Sequence, residues 1–445
     1  MTPPADLSTR EARDEPTNSS AAAILANQFG TSCNRLLIVH DDMVGKGLGW
    51  TVRNWQVAML AAAQSGRVLH EAAAPQGNKS QDAREFVPYR WCLQPPFTLE
   101  CFYQRWNDCD DTPPVPQYRN LTHHRQGHGW GIIGLTGPRH ANLPIIHMEL
   151  SEFIPERWTP RGADFGPADV TRFMFRPRQW VRDIGDCILE RAGIRSGSRR
   201  HATTSTLTPQ SPFARRSSRP DPYAVIFVRD SAEKRAELRS HGHGWTSART
   251  YFELTVALTT NLLPAPRVVL QTSSLSAYAQ FEAAAKAHSP ALRFGVSDNP
   301  RSDHDSWGGL RTGEQTAEGT VAAVNLHLAA EAAFFVGLAS SAWTHLVHLL
   351  MAGGIGQPMI SLCCNCGSRD HYAAAFDKGQ DHLNGTEGKK SNIILLRAPQ
   401  PAGRGVSTRL EQRALSDLSH VRSCELGPVP LHAVGPAAPD SFLSV

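Results

Sequence analysis

The chain has 445 residues, 41% of them hydrophobic, and 45 basic against 41 acidic side chains for a net charge of +4. That length holds two domains of ordinary size, or one with large insertions. There is no uninterrupted apolar run of ~18 residues, so no transmembrane helix is expected, and the basic residues are scattered, which excludes nucleic-acid or membrane binding as a primary function.

Residues 1–30 are polar, proline-containing and without periodicity, and read as a disordered N-terminus that is neither a signal peptide nor an anchor. Arg35 to His40 (RLLIVH) then reads as a strand, HDDMVGKGLGW as a glycine-rich turn, Asn54 to Gln64 as a helix and Arg67 to His70 as the next strand. This βαβ unit carries its loop at the carboxyl end of the first strand, where α/β folds hold ligands. Arg84 to Ile145, rich in Trp, Pro, His and Cys, reads as an irregular excursion. Thr171 to Gly193 reads as a helix pair broken at Pro177, and about 195–221 as a flexible Ser/Arg/Thr/Pro-rich insertion.

A second α/β series follows. Strands are expected at Tyr223–Val228, Arg267–Gln271, Leu292–Val296, Phe334–Val336 and Pro358–Cys363. Helices are expected at Ser247–Thr259, Leu275–Ala287, Thr320–Ala333 and from Ala342 to the Gly353-Gly354 stop. Past Pro399 the Pro/Gly/Ala-rich tail reads as disordered. The expected domains are thus 31–170 and 171–398, flanked by disordered 1–30 and 399–445, and alternating βαβα on both sides implies two Rossmann-like halves.

Two places in the second half carry chemistry. Ser340-Ser341 falls between the strand FFV and the helix beginning at Ala342. The pair reads either as a plain N-cap or as an anion site built from hydroxyls and free helix N–H groups. Arg229 ends the strand YAVIFVR, and an arginine at the carboxyl edge of a parallel strand points into the ligand crevice, where its guanidinium can hold two phosphate oxygens. The bland alternative is a solvated charge run, because Asp230, Glu233, Lys234 and Glu237 follow.

The nine cysteines include a group at Cys92, Cys101 and Cys109 and another at Cys363, Cys364 and Cys366. With the N-x-Ser/Thr sequences at Asn18, Asn78, Asn120 and Asn384 they fit an oxidising lumen. CCNC with His371 matches no ordinary zinc spacing. The two histidine-tryptophan loops GHGWG and GHGWT could contact carbohydrate, but glycine-rich turns of this kind are ordinary loop structure.

Taken in order, several windows resemble the inverting fucosyltransferases of the core α1,6-fucosyltransferase and bacterial nodulation group. FVRDSAEK is similar to that family's HxRRxDK, VVLQTSS to VYLATDD, and RFGVSDN to a strand ending in SDN. VNLHLAAEAAFFVGLASSAWTHLVHLLM is similar to LDIHFL…ADFLVCTFSSQ…AYEIM, and WGGLRTGEQTAEGT to an AGL…TENS loop. Upstream, FMFRPRQW resembles RYLWRPQPW, VGKGLGW resembles KGCGYGC, and REFVPYRW has a counterpart in a GGW segment.

The resemblance implies a GT-B-like α/β fold, two Rossmann-type domains facing a cleft, the second holding the donor and the first on the acceptor side. It implies transfer of fucose from GDP-fucose to a sugar hydroxyl with inversion, no cofactor and no metal ion. Protein cations and backbone dipoles must then stabilise the departing diphosphate. Arg229 becomes the candidate β-phosphate clamp, and Ser340 and Ser341 with the following helix start the candidates for other phosphate oxygens. Thr272 and Asn325 complete the donor side. Gly45, Gly47 and Gly49 would let the first domain's backbone approach the pyrophosphate, unless they only make a tight turn. Glu237 occupies the place of the carboxylate base, with Glu233 as competitor and Lys234 beside them to assist the phosphates or tune the base.

The departures fall on the same site. Phe227 stands for a histidine, Asp230 for the second arginine, Ala232 for an aspartate and Asn325 for a base-reading aspartate. Ala342 replaces a glutamine, and Ser273 and Ser274 replace paired acids. Asp230 is expected to neutralise part of the Arg229 charge. The expected partners are a GDP-sugar donor and a glycan acceptor, an N-glycan core or chitin-like oligosaccharide. The alternatives are a catalytically silent scaffold that binds glycan or a partner, and a transferase using another nucleotide sugar. The family implies a Golgi lumen and an anchor, and the lack of an anchor here would mean a truncated gene model or a soluble form.

Overall fold

The computed structural model describes residues 19–30, 33–40, 48–71, 99–109, 145–149, 167–195, 221–230, 235–236, 247–263, 265–288, 292–297, 312–338, 341–351, 359–362, 380–381 and 393–396. The expected insertion at 195–221 and the tail from 399 lie outside these residues, apart from Arg195 and Asp221.

The first unit is a parallel sheet with β1 (Leu36–His40) between β2 (Val68–Glu71) and β3 (Ile145–Glu149). β1 is central because its apolar residues are buried on both faces. Leu37 and Val39 join the main core, while Leu36 and Ile38 pack with Val68, Cys109 and Ile145 on the other side. Helix α2 (Leu48–Gln64) connects β1 to β2. It ends at Gly66, whose φ of +61° lets Arg67 N–H reach back to the Ala62 carbonyl at 2.9 Å.

Three expectations are corrected here. The expected disorder through residue 30 gives way to helix α1 (Ser19–Phe29), because tertiary contacts hold it: Ile24 is buried, Asn27 Nδ2 donates to the Arg67 carbonyl at 3.0 Å, and Gln28 Oε1 accepts from Leu69 N–H at 3.0 Å. Helix α2 starts six residues before the expected Asn54, so Gly49 lies inside a helix and not in a turn; Gly45 and Gly47 lie outside the described residues. The excursion expected to run through Ile145 yields to β3 at its end, which pairs with β1.

Helices α3 (Pro167–Met174) and α4 (Gln179–Arg191) are broken around Pro177 as the ring and missing N–H dictate. A boundary between residues 170 and 171 would cut α3. The intervening turn clasps the first unit. Arg178 Nε donates to the carbonyls of Glu100 at 2.6 Å and Tyr103 at 3.1 Å, and Trp106 Nε1 donates to the Met174 carbonyl at 3.0 Å.

The second unit is a seven-stranded sheet in the order β6-β5-β4-β7-β8-β10-β9. Its strands are β4 (Ala224–Phe227), β5 (Arg267–Gln271), β6 (Arg293–Val296), β7 (Phe334–Leu338), β8 (Met359–Leu362), β9 (Gln380–Asp381) and β10 (Ile393–Leu396). The first five are parallel; β10 pairs antiparallel with β8 and with β9. The connecting helices are α5 (Ala248–Leu262), α6 (Leu275–His288), α7 (Thr312–Glu331) and α8 (Ala342–Met351). Ser247 caps α5, its Oγ accepting from Thr250 N–H at 3.1 Å.

The molecule is α/β with two Rossmann-type sheets. One apolar core runs through both units: Leu37, Trp55 and Ile146 belong to the same buried cluster as Val225, Phe335 and Leu346. Helices α2, α3 and α8 form the seam. Gly337 lets α8 close on β7. A Cβ there would lie 2.5 Å from Phe335 Cε1 and 2.7 Å from Thr344 Oγ1. Gly337→Ala is therefore expected to cost about 1–3 kcal/mol, lowering the melting temperature by several degrees; an unchanged melt would refute this packing.

His348, on α8, is held neutral by burial, its pKa falling to about 4. The unfolded chain takes up this proton near pH 6.5 while the fold resists, so its contribution is intact above 6.5 and is lost as pH falls toward 4. The full loss is at most roughly 3 kcal/mol. Denaturant titrations across that window should show stability falling with acid, and His348→Gln should flatten the slope. An unchanged slope would contradict the burial argument.

Candidate functional site

The chain runs β4, β5, β6 outward in one direction and then returns to place β7 and β8 on the other side of β4. The order therefore reverses between β4 and β7, and the carboxyl edge at such a reversal is where open α/β sheets form their ligand crevice. The two strands are parallel, with Ile226 opposite Val336. Arg229 follows β4 and Ser341 follows β7, so the backbone leaves both strands at one edge, about 4.8 Å apart across the pair.

Ser341 is 2% exposed and immediately precedes α8. Its carbonyl accepts from His345 N–H at 3.2 Å and its own N–H donates to the Leu338 carbonyl at 3.0 Å. This is the N-cap position, so the N–H groups of the first turn begin at the same sheet edge. Ser340 lies outside the described residues, as do Glu233, Lys234 and Glu237.

The loop carrying Arg229 is fixed from beneath. Thr272 Oγ1 donates to the Val228 carbonyl at 2.8 Å and accepts from Ser274 N–H at 3.1 Å. Ser274 Oγ donates to the Asp230 carbonyl at 3.3 Å and accepts from Ala277 N–H at 3.1 Å, capping α6. Thr272 and Ser274 thus position the β4 loop through the backbone. Sequence reasoning assigned Thr272 to the donor side and gave Ser274 no role; an ST-type cap before Leu275 was the signal for the second.

Asp230 has a partner beyond the expected one. Its carboxylate is almost fully buried and accepts from Arg235 Nε at 2.6 Å. Its charge is therefore shared with Arg235, not directed at Arg229 alone. Burial and the nearby Asp230 charge together push the Tyr251 hydroxyl above its ordinary pKa.

On the face of the sheet that carries α7 and α8, Gln271 at the end of β5 donates from Nε2 to the Asn325 carbonyl at 2.7 Å. Asn325, on α7, is 5% exposed. The structure thus joins Asn325 to the same strand edge as Arg229, one strand further from Ser341. Phe227, the last residue of β4, meets Trp343 of α8 with ring centroids 5.9 Å apart and planes at 35°. Sequence analysis noted Phe227 only as a replacement and missed Trp343, whose partner becomes visible only when β4 and α8 are brought together. Among the described residues no group of three His, Cys, Asp or Glu side chains converges to hold a metal ion.

Neither a protein-family profile nor a characterised protein sequence matches the chain. Solved structures of fucosyltransferases are similar to it. They include fucosyltransferase NodZ from Bradyrhizobium, at 14% identity over 75% of this chain and 95% of that one, with a TM-score of 0.38. POFUT1 in complex with GDP gives 11% identity, coverage of 72% and 95%, and a TM-score of 0.38. A mutant of Arabidopsis thaliana FUT1 in complex with GDP gives 12%, 78% and 75%, and 0.36.

Proposed function

We propose that the protein is an inverting glycosyltransferase that transfers fucose from GDP-fucose to a sugar hydroxyl, on an N-glycan core or a chitin-like oligosaccharide. The observation that carries this reading is the emergence of Arg229 and the Ser341-capped start of α8 at one strand edge, across the reversal between β4 and β7. A guanidinium and a row of helix N–H groups facing one crevice suit a diphosphate. As the glycosidic bond breaks, charge grows on the β-phosphate, and donors already in place stabilise it without reorganisation.

The acceptor hydroxyl must lose a proton in line with the anomeric carbon. Glu237 is the proposed base, with Glu233 as the competing carboxylate and Lys234 proposed to assist the phosphates or tune the base. Gly45 and Gly47 are proposed to face the diphosphate from the first unit. No metal or other cofactor has a part in the proposal. No helix among the described residues is long and apolar enough to cross a membrane. The disulfide between Cys33 and Cys109 supports a secretory compartment, since such bonds persist where the surroundings are oxidising.

The test is transfer of labelled fucose from GDP-fucose to chitin oligosaccharides and to N-glycan cores. Product from either supports the proposal, and Glu237→Gln should then suppress it at least 100-fold. A protein that yields no product and gives no heat with GDP is the silent scaffold, the reading favoured by the loss of acids at Ser273 and Ser274.

A further inference from the structure

We propose that Phe227 and Trp343 form the platform on which the hexosyl ring of the nucleotide sugar stacks, and that they help set which sugar is accepted. This rests on reading Arg229 and Ser341 as the diphosphate site. Phe227 lies two residues before Arg229, and Trp343 two residues after Ser341. The two rings therefore meet across the same β4–β7 gap that separates the two phosphate-binding candidates. In a nucleoside diphosphate sugar the pyranose is one bridging oxygen beyond the second phosphate, so it must lie against whatever lines that gap.

The chemistry of the pair fits a pyranose. Both residues are partly exposed, with the rest of each packed against the main core. Aromatic carbon surface matches the C–H face of a sugar ring. The indole adds a polar handle: Trp343 Nε1 is buried and has no hydrogen-bond acceptor among the described residues. A buried indole N–H ordinarily finds a partner, and a sugar hydroxyl oxygen at this edge would supply one. A purely structural aromatic contact would account for the ring packing and leave the orphaned donor unexplained. An apolar ring at Phe227 also suits a sugar with an apolar substituent better than one bearing an extra hydroxyl or a carboxylate.

The experiment titrates GDP and GDP-fucose separately into the full-length protein and into Phe227→Leu and Trp343→Phe, with thermal melts as a control on folding. Trp343→Phe keeps a ring and removes the donor, so it remains informative if the leucine variant melts early. The wild-type protein is expected to bind GDP-fucose more tightly than GDP. Each variant should lose about tenfold in affinity for GDP-fucose, with GDP affinity unchanged within twofold. Variants that leave GDP-fucose affinity unchanged, or that weaken GDP by the same factor, would overturn the platform while leaving the diphosphate reading intact. No binding of GDP by the wild-type protein would overturn both.

Discussion

Arg229→Ala is expected to lower the rate of fucose transfer by about 10²–10³-fold, the usual loss when one preorganised donor to a developing oxyanion is removed. The residue sits where β4 ends, partly exposed, above a loop held by Thr272 and Ser274. A thermal melt of the variant separates a loss of catalysis from a loss of folding. Arg229→Lys should recover only part of the rate, because an ammonium is a point charge and cannot present two parallel N–H donors to a phosphate. The assay is single-turnover transfer with saturating donor. A rate unchanged in the alanine variant would show that this guanidinium does not face the leaving group.

The second large effect concerns the first unit. Cys33 precedes β1 and Cys109 ends the segment that begins at Leu99, and the bond closes a sequence separation of 76 residues. Helices α1 and α2 lie on one face of the small sheet, with Leu37, Val39 and Leu69. The outer face, Leu36, Ile38 and Val68, is covered by Cys109 itself, and Asn107 Nδ2 fastens the same segment to the Leu69 carbonyl at 2.6 Å. A sheet of three short strands has little area with which to hold such a cover. Cys33→Ala with Cys109→Ala should therefore cost about 2–5 kcal/mol, the range for a disulfide closing a long loop. On the scale that relates stability to melting in domains of this size, that is a drop of about 5–15 °C. Equal melting temperatures for the oxidised parent and the double variant would contradict it.

Much of the fold was legible because its strands are short continuous apolar runs between turn signals. RVVLQ, the helix start at Ala342 and the break at Pro177 fall where the chain places them. The misses have physical causes. Helix α1 has a weak amphipathic pattern, and its anchors are the polar side chains Asn27 and Gln28, whose partners on Arg67 and Leu69 exist only after folding. Strand β3 follows a stretch with no periodicity, and β9 and β10 are a two-residue edge and an isolated IILL run. The pairing of Cys33 with Cys109 could not be read from nine cysteines.

The candidate site divides in the same way. Arg229 and Ser341 were readable as strand-end and helix-start residues, and topology puts the strands they follow side by side. The tie from Thr272 to Val228, the partnership of Asp230 with Arg235, and the meeting of Phe227 with Trp343 depend on side-chain directions that no local pattern encodes. The residues that depart from the resemblance at Phe227 and Asp230 each meet a partner in this fold, Trp343 and Arg235.

The central claim is that Arg229 and the start of α8 bind a diphosphate at the reversal between β4 and β7. Isothermal titration of GDP in the presence of a chelator, with UDP as comparison, tests it most directly. Saturable binding of GDP in preference to UDP, weakened at least tenfold in Arg229→Ala, is the expected result. No heat with either nucleotide, or equal GDP affinity in parent and variant, would contradict it.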